Sequence, residues 1–218
     1  FLYIVIVFSF FKSSLAETPK LTEVHKLLVS KDHLSNLEAP LKIKYIFRKT
    51  GSLEPAFNDR VVMIIPEKND KGVHNIQFDF FSGYNKEDLK SADYKRNNPI
   101  VHAFWEHDIK LMERLTEGSW LYFRKRITWA MSDPYKFNIT SSTCDYKGKK
   151  VDGKTIELMP YKDDFDSKKF EKFAKKKYYI TLCDEIPGVI YEMSTVVTSK
   201  NENEPLMKET LTFDKILK

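Results

Sequence analysis

From Leu41 the chain alternates with period two. Leu41, Ile43, Tyr45 and Phe47 are separated by Lys42, Lys44 and Ile46, the pattern of a half-buried strand. Residues 50–59 hold Gly, Pro, Asn and Asp and read as a loop. An apolar run over 61–65 predicts a second strand, residues 69–72 a turn, and the alternation of Ile76, Phe78 and Phe80 a third strand. The period then changes. Asn98 and Pro99 make a helix start, a cap followed by the first helical position. Val101, Phe104, Trp105, Ile109, Met112 and Leu115 follow at helical spacing. Gly118 is expected to end this helix in the left-handed conformation, and Ser119 to cap a second with Trp120, Phe123, Ile127 and Met131 on one face. Alternation resumes at Tyr135, Phe137 and Ile139. A turn region at Gly148 and Asp152-Gly153 leads to a return strand at Ile156 and Leu158. A short basic helix over 164–176 would turn Phe170, Phe173 and Ala174 inward. Three further strands follow over 178–183, 189–198 and 206–213.

Upstream, Thr18 and Pro19 can open a helix carrying Leu21, Val24 and Leu28, which Pro40 prevents from continuing. The sum is an α+β fold. Short connections favour antiparallel neighbours, so the simplest packing is a strongly curved antiparallel sheet of about eight strands. Such a half-barrel would carry its helices across the concave face. An incompletely closed sheet roofed by helices encloses an apolar cavity, a common kind of ligand site.

Residues 1–11 form an apolar run of h-region length, followed by small residues at Ser14 and Ala16. Eleven residues span only about 16 Å of helix against a hydrocarbon core of roughly 30 Å. The segment therefore reads as a signal peptide cleaved after Ala16. The expected organisation is a signal peptide over 1–16, an N-terminal helical segment over 17–40 and one half-barrel domain over 41–218. The mature protein would be periplasmic. There Cys144 and Cys183 are free either to bridge or to sit as two small buried hydrophobes on neighbouring strands. With 16 Phe, 11 Tyr and 3 Trp the chain is not disordered, and with 2 Cys it is not a disulfide scaffold.

The candidate chemistry consists mostly of absences. No glycine pair forms a phosphate loop, and there is no nucleophile elbow and no Cys-x-x-Cys. His102 and His107 are five residues apart, which sets them about 140° apart around a helix and forbids a shared metal. Glu106 and His102 instead read as an exposed i,i+4 pair. No cofactor, metal or catalytic residue is assigned. Arg124, Lys125 and Arg126 beside Trp120, Tyr122 and Trp129 fit an anionic headgroup or polysaccharide, or ordinary cation–π packing. Lys168, Lys169, Lys172, Lys175, Lys176 and Lys177 surround Phe170 and Phe173, a pattern that allows transient contact with an anionic membrane surface. A net charge of +5 with acids interspersed is too small to imply nucleic acid.

Several segments carry a family resemblance: Gly51-Ser52-Leu53-Glu54-Pro55, Asp108 to Leu115 running into Thr116-Glu117-Gly118-Ser119, Phe123-Arg124-Lys125-Arg126, Pro160-Tyr161 and Asp184-Glu185-Ile186-Pro187-Gly188. They resemble an uncharacterised family of secreted, periplasmic bacterial proteins. That family is similar in element order to the LolA/LolB-like half-barrels of the bacterial envelope, which carry lipoproteins. The resemblance implies acyl-chain carriage between a curved sheet and lid helices.

The expected function is therefore a soluble periplasmic carrier for a hydrophobic ligand, an acyl chain, lipid or lipidated protein. Tyr45, Phe47, Phe78 and Phe80 on the strands would line the ligand, with Phe104, Trp105 and Met112 on the helix; the alternative is that these side chains simply fill the core. A cell-envelope scaffolding protein acting through loops 50–59 and 199–205 would need no ligand. An enzyme would need His102, Glu106, His107 or Asp108 to converge with Arg124 in a polar cleft.

Overall fold

A computed structural model describes residues 21–198 and 204–217, apart from 165, 167–169 and 171. The expected signal peptide, the helix start at Thr18 and Pro19, Lys168, Lys169 and residues 199–203 lie outside the described residues. The strands are β1 (Leu41–Gly51), β2 (Phe57–Ile65), β3 (His74–Phe80), β4 (Ala92–Tyr94), β5 (Phe137–Tyr146), β6 (Lys149–Leu158), β7 (Lys177–Leu182), β8 (Ile190–Val197) and β9 (Met207–Leu217). They form one open sheet in the order β4-β3-β2-β1-β9-β8-β7-β6-β5, antiparallel throughout. The sheet has nine strands rather than about eight. The addition is β4, three residues long and mostly exposed, too short to show alternation.

The period-two pattern is realised in β1, where Ile43, Tyr45 and Phe47 are fully buried. Their neighbours across the ladders, among them Val61, Met63 and Leu211, belong to the same core. Two meanders, β1–β4 and β5–β9, meet where β1 pairs with β9. The chain leaves the first meander at one edge and starts the second at the other. Helices α2 (Pro99–Thr116) and α3 (Trp120–Ala130) make that crossing.

Asn98 caps α2 as expected: its side-chain oxygen accepts the Ile100 N–H at 3.0 Å. Its amide also donates to the Gly188 carbonyl at 2.7 Å, fastening the helix start to the β7–β8 turn. A short first helix, α1 (Glu23–His25), runs into a π turn over Lys26–Ser30 and is capped by Thr22. Buried His33 holds this segment in place. Its Nδ1 accepts the Asn98 N–H at 3.0 Å, and its Nε2 donates to the Leu27 carbonyl at 2.7 Å.

Several local expectations are corrected. The left-handed residue ending α2 is Glu117, not Gly118. Gly118 is needed for space, because a Cβ there would sit 2.6 Å from the Phe123 ring. Ser119 occupies the cap position of α3 without a side-chain bond, and the Glu113 carboxylate accepts the Trp120 N–H instead, at 3.4 Å. Trp120 faces solvent rather than the core. Asp152 and Gly153 lie inside β6, and the turn is made by Lys147 and Gly148, both with positive φ. Cys144 and Cys183 are bridged, with 6.5 Å between their Cα atoms.

Among the described residues of 164–176, Asp166, Phe170, Lys172 and Phe173 have 3-10 rather than α-helical conformation, with Phe173 buried and Phe170 packed against the core. Lys176 is buried against Asp108, and Lys177 belongs to β7, paired with Glu157 at 2.8 Å. The carboxylate of Asp108 draws Lys176 inward, and with it goes the continuous cationic face.

Candidate functional site

Helix α2 has two working faces. The sheet face carries His107 and Asp108, both buried. His107 hydrogen-bonds Glu87 through Nδ1 and approaches Glu209 of β9 through Nε2 at 3.4 Å. Lys49 of β1 lies 3.3 Å from the same Glu209 carboxylate. Burial opposes the imidazolium, but hydrogen bonds and charge from the two glutamates outweigh it and raise its pKa to about 9. Burial likewise opposes the Glu209 carboxylate, while His107, Lys176 and Lys49 hold it down at about 2. Asp108 pairs with Lys176 and accepts the Tyr178 hydroxyl at 2.6 Å.

On the side of α2 away from His107, Val101, Trp105 and Ile109 follow at i,i+4 spacing. Leu28 of the N-terminal π turn and Ile127 and Met131 beside α3's end complete an apolar lining. Together they bound a cleft of about 230 Å³ between the three helical segments. His102, Glu106, Arg124 and Thr128 supply its polar groups. The Arg124 guanidinium donates to Glu106 at 2.6 Å and lies over the Trp120 ring at 5.0 Å. Two buried donors on this lining, Arg124 Nε and Trp105 Nε1, have no hydrogen-bond partner.

Of the residues expected to line a ligand, Tyr45, Phe47, Phe80, Phe104 and Met112 are buried in one core cluster, and Phe78 and Trp105 pack against it partly buried. Phe47 and Phe80 meet, packed with Phe81 around the His107 ring. Tyr45 lies edge-on to Phe213. Its hydroxyl sits beside the Asn98 amide without reaching hydrogen-bond geometry, and burial raises its pKa. Phe104 and Met112 are in the main core. Phe78 borders a separate surface pocket with Leu89 and Tyr94. Trp105 lines the helical cleft.

The expected exposed pair of His102 and Glu106 is also corrected. Glu106 is taken by Arg124, and the His102 ring instead faces the Tyr94 hydroxyl at 3.5 Å. His102, Glu106 and Arg124 share the cleft, whereas His107 and Asp108 point to the sheet. Among the described residues no group of His, Cys, Asp and Glu is arranged to hold a metal ion. None of their helices is long and apolar enough to cross a membrane.

The chain is similar to two solved structures. One is the lipoprotein LppX of Mycobacterium tuberculosis, at 12% identity, covering 82% of this chain and 87% of that one with a TM-score of 0.32. The other, from Vibrio parahaemolyticus, is described as an outer membrane lipoprotein-sorting protein domain. It shares 11% identity over 81% of this chain and 84% of that one, with a TM-score of 0.22. The second is of the lipoprotein-sorting kind that the sequence resembles. Likenesses this loose carry no argument about ligand or chemistry. No family model matches the chain, and no curated protein matches it.

Sequence reasoning missed the cleft as a site, although the Val101, Trp105, Ile109 spacing on α2 and Ile127 on α3 were visible. What the sequence did not show was the π turn after α1 folding back to form the third wall with Leu28 and Val29. It also missed the charged groups on the sheet. Their signal was present: Lys49 and Glu209 fall on the inward phase of their strands.

Proposed function

We propose that this protein is a non-enzymatic carrier for an amphiphile with an acyl chain, held in the cleft between the N-terminal π turn, α2 and α3. The observation that carries the reading is a cleft of mostly apolar surface with one cationic side chain, Arg124, on its lining. The polar end of the ligand lies toward Arg124, while the chain lies against Val101, Ile109, Ile127 and Met131. Apolar burial contributes roughly 25 cal/mol per Å². At about 230 Å³ the cleft is somewhat below the roughly 300–1,000 Å³ of drug-sized ligand sites, so it takes part of one chain.

The sheet is read as a half-barrel curling around α2. His107 touches the Phe80 ring of β3 at 5.6 Å, and the next residue, Asp108, bonds Tyr178 of β7. Those strands are five places apart in the sheet, about 24 Å if it were flat, against a helix diameter of about 10–12 Å. Curling supports both contacts at once. The formed disulfide supports an oxidising compartment, the periplasm, as the place of action.

Extraction of the purified protein with organic solvent, followed by mass spectrometry, should release an acylated molecule. A fluorescent fatty acid should bind the delipidated protein at one site and be displaced by unlabelled fatty acid. Absence of both a bound lipid and saturable fatty-acid binding would end this reading.

A further inference from the structure

The N-terminal wall of the cleft is joined to α2 through an imidazole. Residues 22–37 run as a strap past the end of α3, the start of α2 and the β7–β8 turn. Thr22 Oγ1 donates to the Met131 carbonyl at 2.6 Å, just past α3. Asn36 donates to the Ile186 carbonyl at 2.8 Å and accepts the Gly188 N–H at 3.0 Å. Between these ties lies the π turn, whose Leu28 and Val29 line the cleft. His33 connects that turn to α2. Its Nε2 bonds the Leu27 carbonyl on the turn, and its Nδ1 bonds the N–H of Asn98, a residue that lines the cleft as well. A backbone N–H can only donate, so Nδ1 accepts and the single ring proton sits on Nε2. The latch therefore exists only with a neutral ring.

We infer that protonation of His33 releases this latch, so that acid draws the π turn away from α2 and loosens what the cleft holds. The added proton lands on Nδ1 and faces the Asn98 N–H, donor against donor in a buried place. The charged ring keeps the Leu27 carbonyl, so ring and turn leave Asn98 together. The charged groups around the ring are Lys31 and Asp32 on its own segment and Asp184 on the β7–β8 turn, where Lys31 pairs with Asp184. Arg96, in the loop before α2, meets the strap through its carbonyl, which accepts the His33 N–H at 2.7 Å. Burial holds the His33 pKa below its ordinary 6.5, and Lys31 adds to this; the Leu27 carbonyl, Asp184 and Asp32 pull the other way and are outweighed. Because the folded pKa is the lower one, the stability of the latched form is lost as pH falls from 6.5. The release of cargo rests on the carrier reading, whereas the movement does not.

The test is hydrogen exchange of the ligand-free full chain at about pH 7 and about pH 5, each corrected for the intrinsic rate. Protection of the Asn98 amide should fall about tenfold or more at the lower pH, the scale of a lost buried hydrogen bond. The amides of β1 should keep theirs. His33→Asn sets an uncharged oxygen where Nδ1 stood, still accepts the Asn98 N–H and takes up no proton, so its Asn98 protection should be equal at both pH values. His25 and His102 are present in both proteins and cancel in the comparison. In the parent alone, the ring signals of His33 should titrate with the same midpoint as the Asn98 protection. Binding of a fluorescent long-chain alcohol, whose head group does not titrate, should weaken with acid in the parent and hold steady in His33→Asn. Asn98 protection that ignores pH in the parent, or falls equally in His33→Asn, overturns the inference. A different midpoint for the ring, or parent affinity for the alcohol that ignores pH, overturns it too. Absence of alcohol binding at about pH 7 refutes the carrier reading instead, since exchange is read without ligand.

Discussion

His107 Nε2 stands 3.4 Å from Glu209 Oε1, joining the middle of α2 to the central strand β9. Each group shifts the other's proton equilibrium, and their effects on stability run in opposite directions with pH. The His107 contribution is complete below its ordinary pKa of 6.5 and is lost as pH rises through about 9. The Glu209 contribution is complete above its ordinary 4.5 and is lost as pH falls toward about 2. Stability from this pair should be flat between those ordinary values and decline on both sides. Raising the imidazole from 6.5 to about 9 corresponds to about 3 kcal/mol. His107→Gln should remove most of the alkaline decline in urea denaturation between about pH 6 and pH 10. An identical alkaline slope in parent and variant contradicts the assignment.

The Asp108–Lys176 pair gives a second prediction. Both side chains are fully buried. Lys176→Met should cost about 3–5 kcal/mol, because it strands a carboxylate in the interior. Asp108→Leu combined with Lys176→Met should cost less than Lys176→Met alone, since no unpaired charge remains. Denaturation midpoints of the two proteins decide it: a double variant weaker than the single one refutes the pairing.

The disulfide and Gly153 make a third. The bridge between β5 and the end of β7 passes over β6 where Gly153 lacks a side chain. A Cβ there would lie 2.4 Å from Cys183 Sγ and 2.7 Å from the Leu182 carbonyl oxygen. Gly153→Ala should therefore destabilise even the reduced protein, because the Leu182 backbone also blocks it. Cys144→Ala/Cys183→Ala should cost roughly 2–4 kcal/mol, as expected for closing a loop with a sequence separation of 39. Thermal scans with and without reductant measure both effects.

Selectivity for the ligand's polar end is the fourth. Arg124→Met should weaken binding of a long-chain carboxylate about tenfold or more, the scale of a hydrogen bond to a charged group. Binding of the matching alcohol should change little. Ile127→Trp should block both, by filling the cleft from α3. Competition against a fluorescent fatty acid gives all four values, and an equal loss for acid and alcohol in Arg124→Met would remove Arg124 from the headgroup site.

Much of the architecture can be read from residue spacing. Ile43, Tyr45 and Phe47 mark β1, and Asn98-Pro99 marks the start of α2 to the residue. What escapes is whatever depends on a partner distant in the chain. Lys49 falls on the inward phase of β1, but only Glu209 beside it explains a cation there. Lys176 looks like one of six surface lysines until Asp108 removes it from water. Gly153 has the composition of a turn, and only the bridge packed against it explains its place in a strand. The cleft was hidden for the same reason, since its third wall comes from residues more than sixty positions before α2's Val101.

The junction of β1 with β9 has a consequence for biosynthesis. β9 follows the other eight strands in sequence, and β1 and β8 are its two flanking partners. Its eleven residues are therefore synthesised after all of those strands. Until they arrive, the early meander and the late one have no ladder between them, and Glu209 is not yet available to His107. The centre of the sheet thus stays open until the other eight strands have been made, and joining the two meanders is a late step of folding.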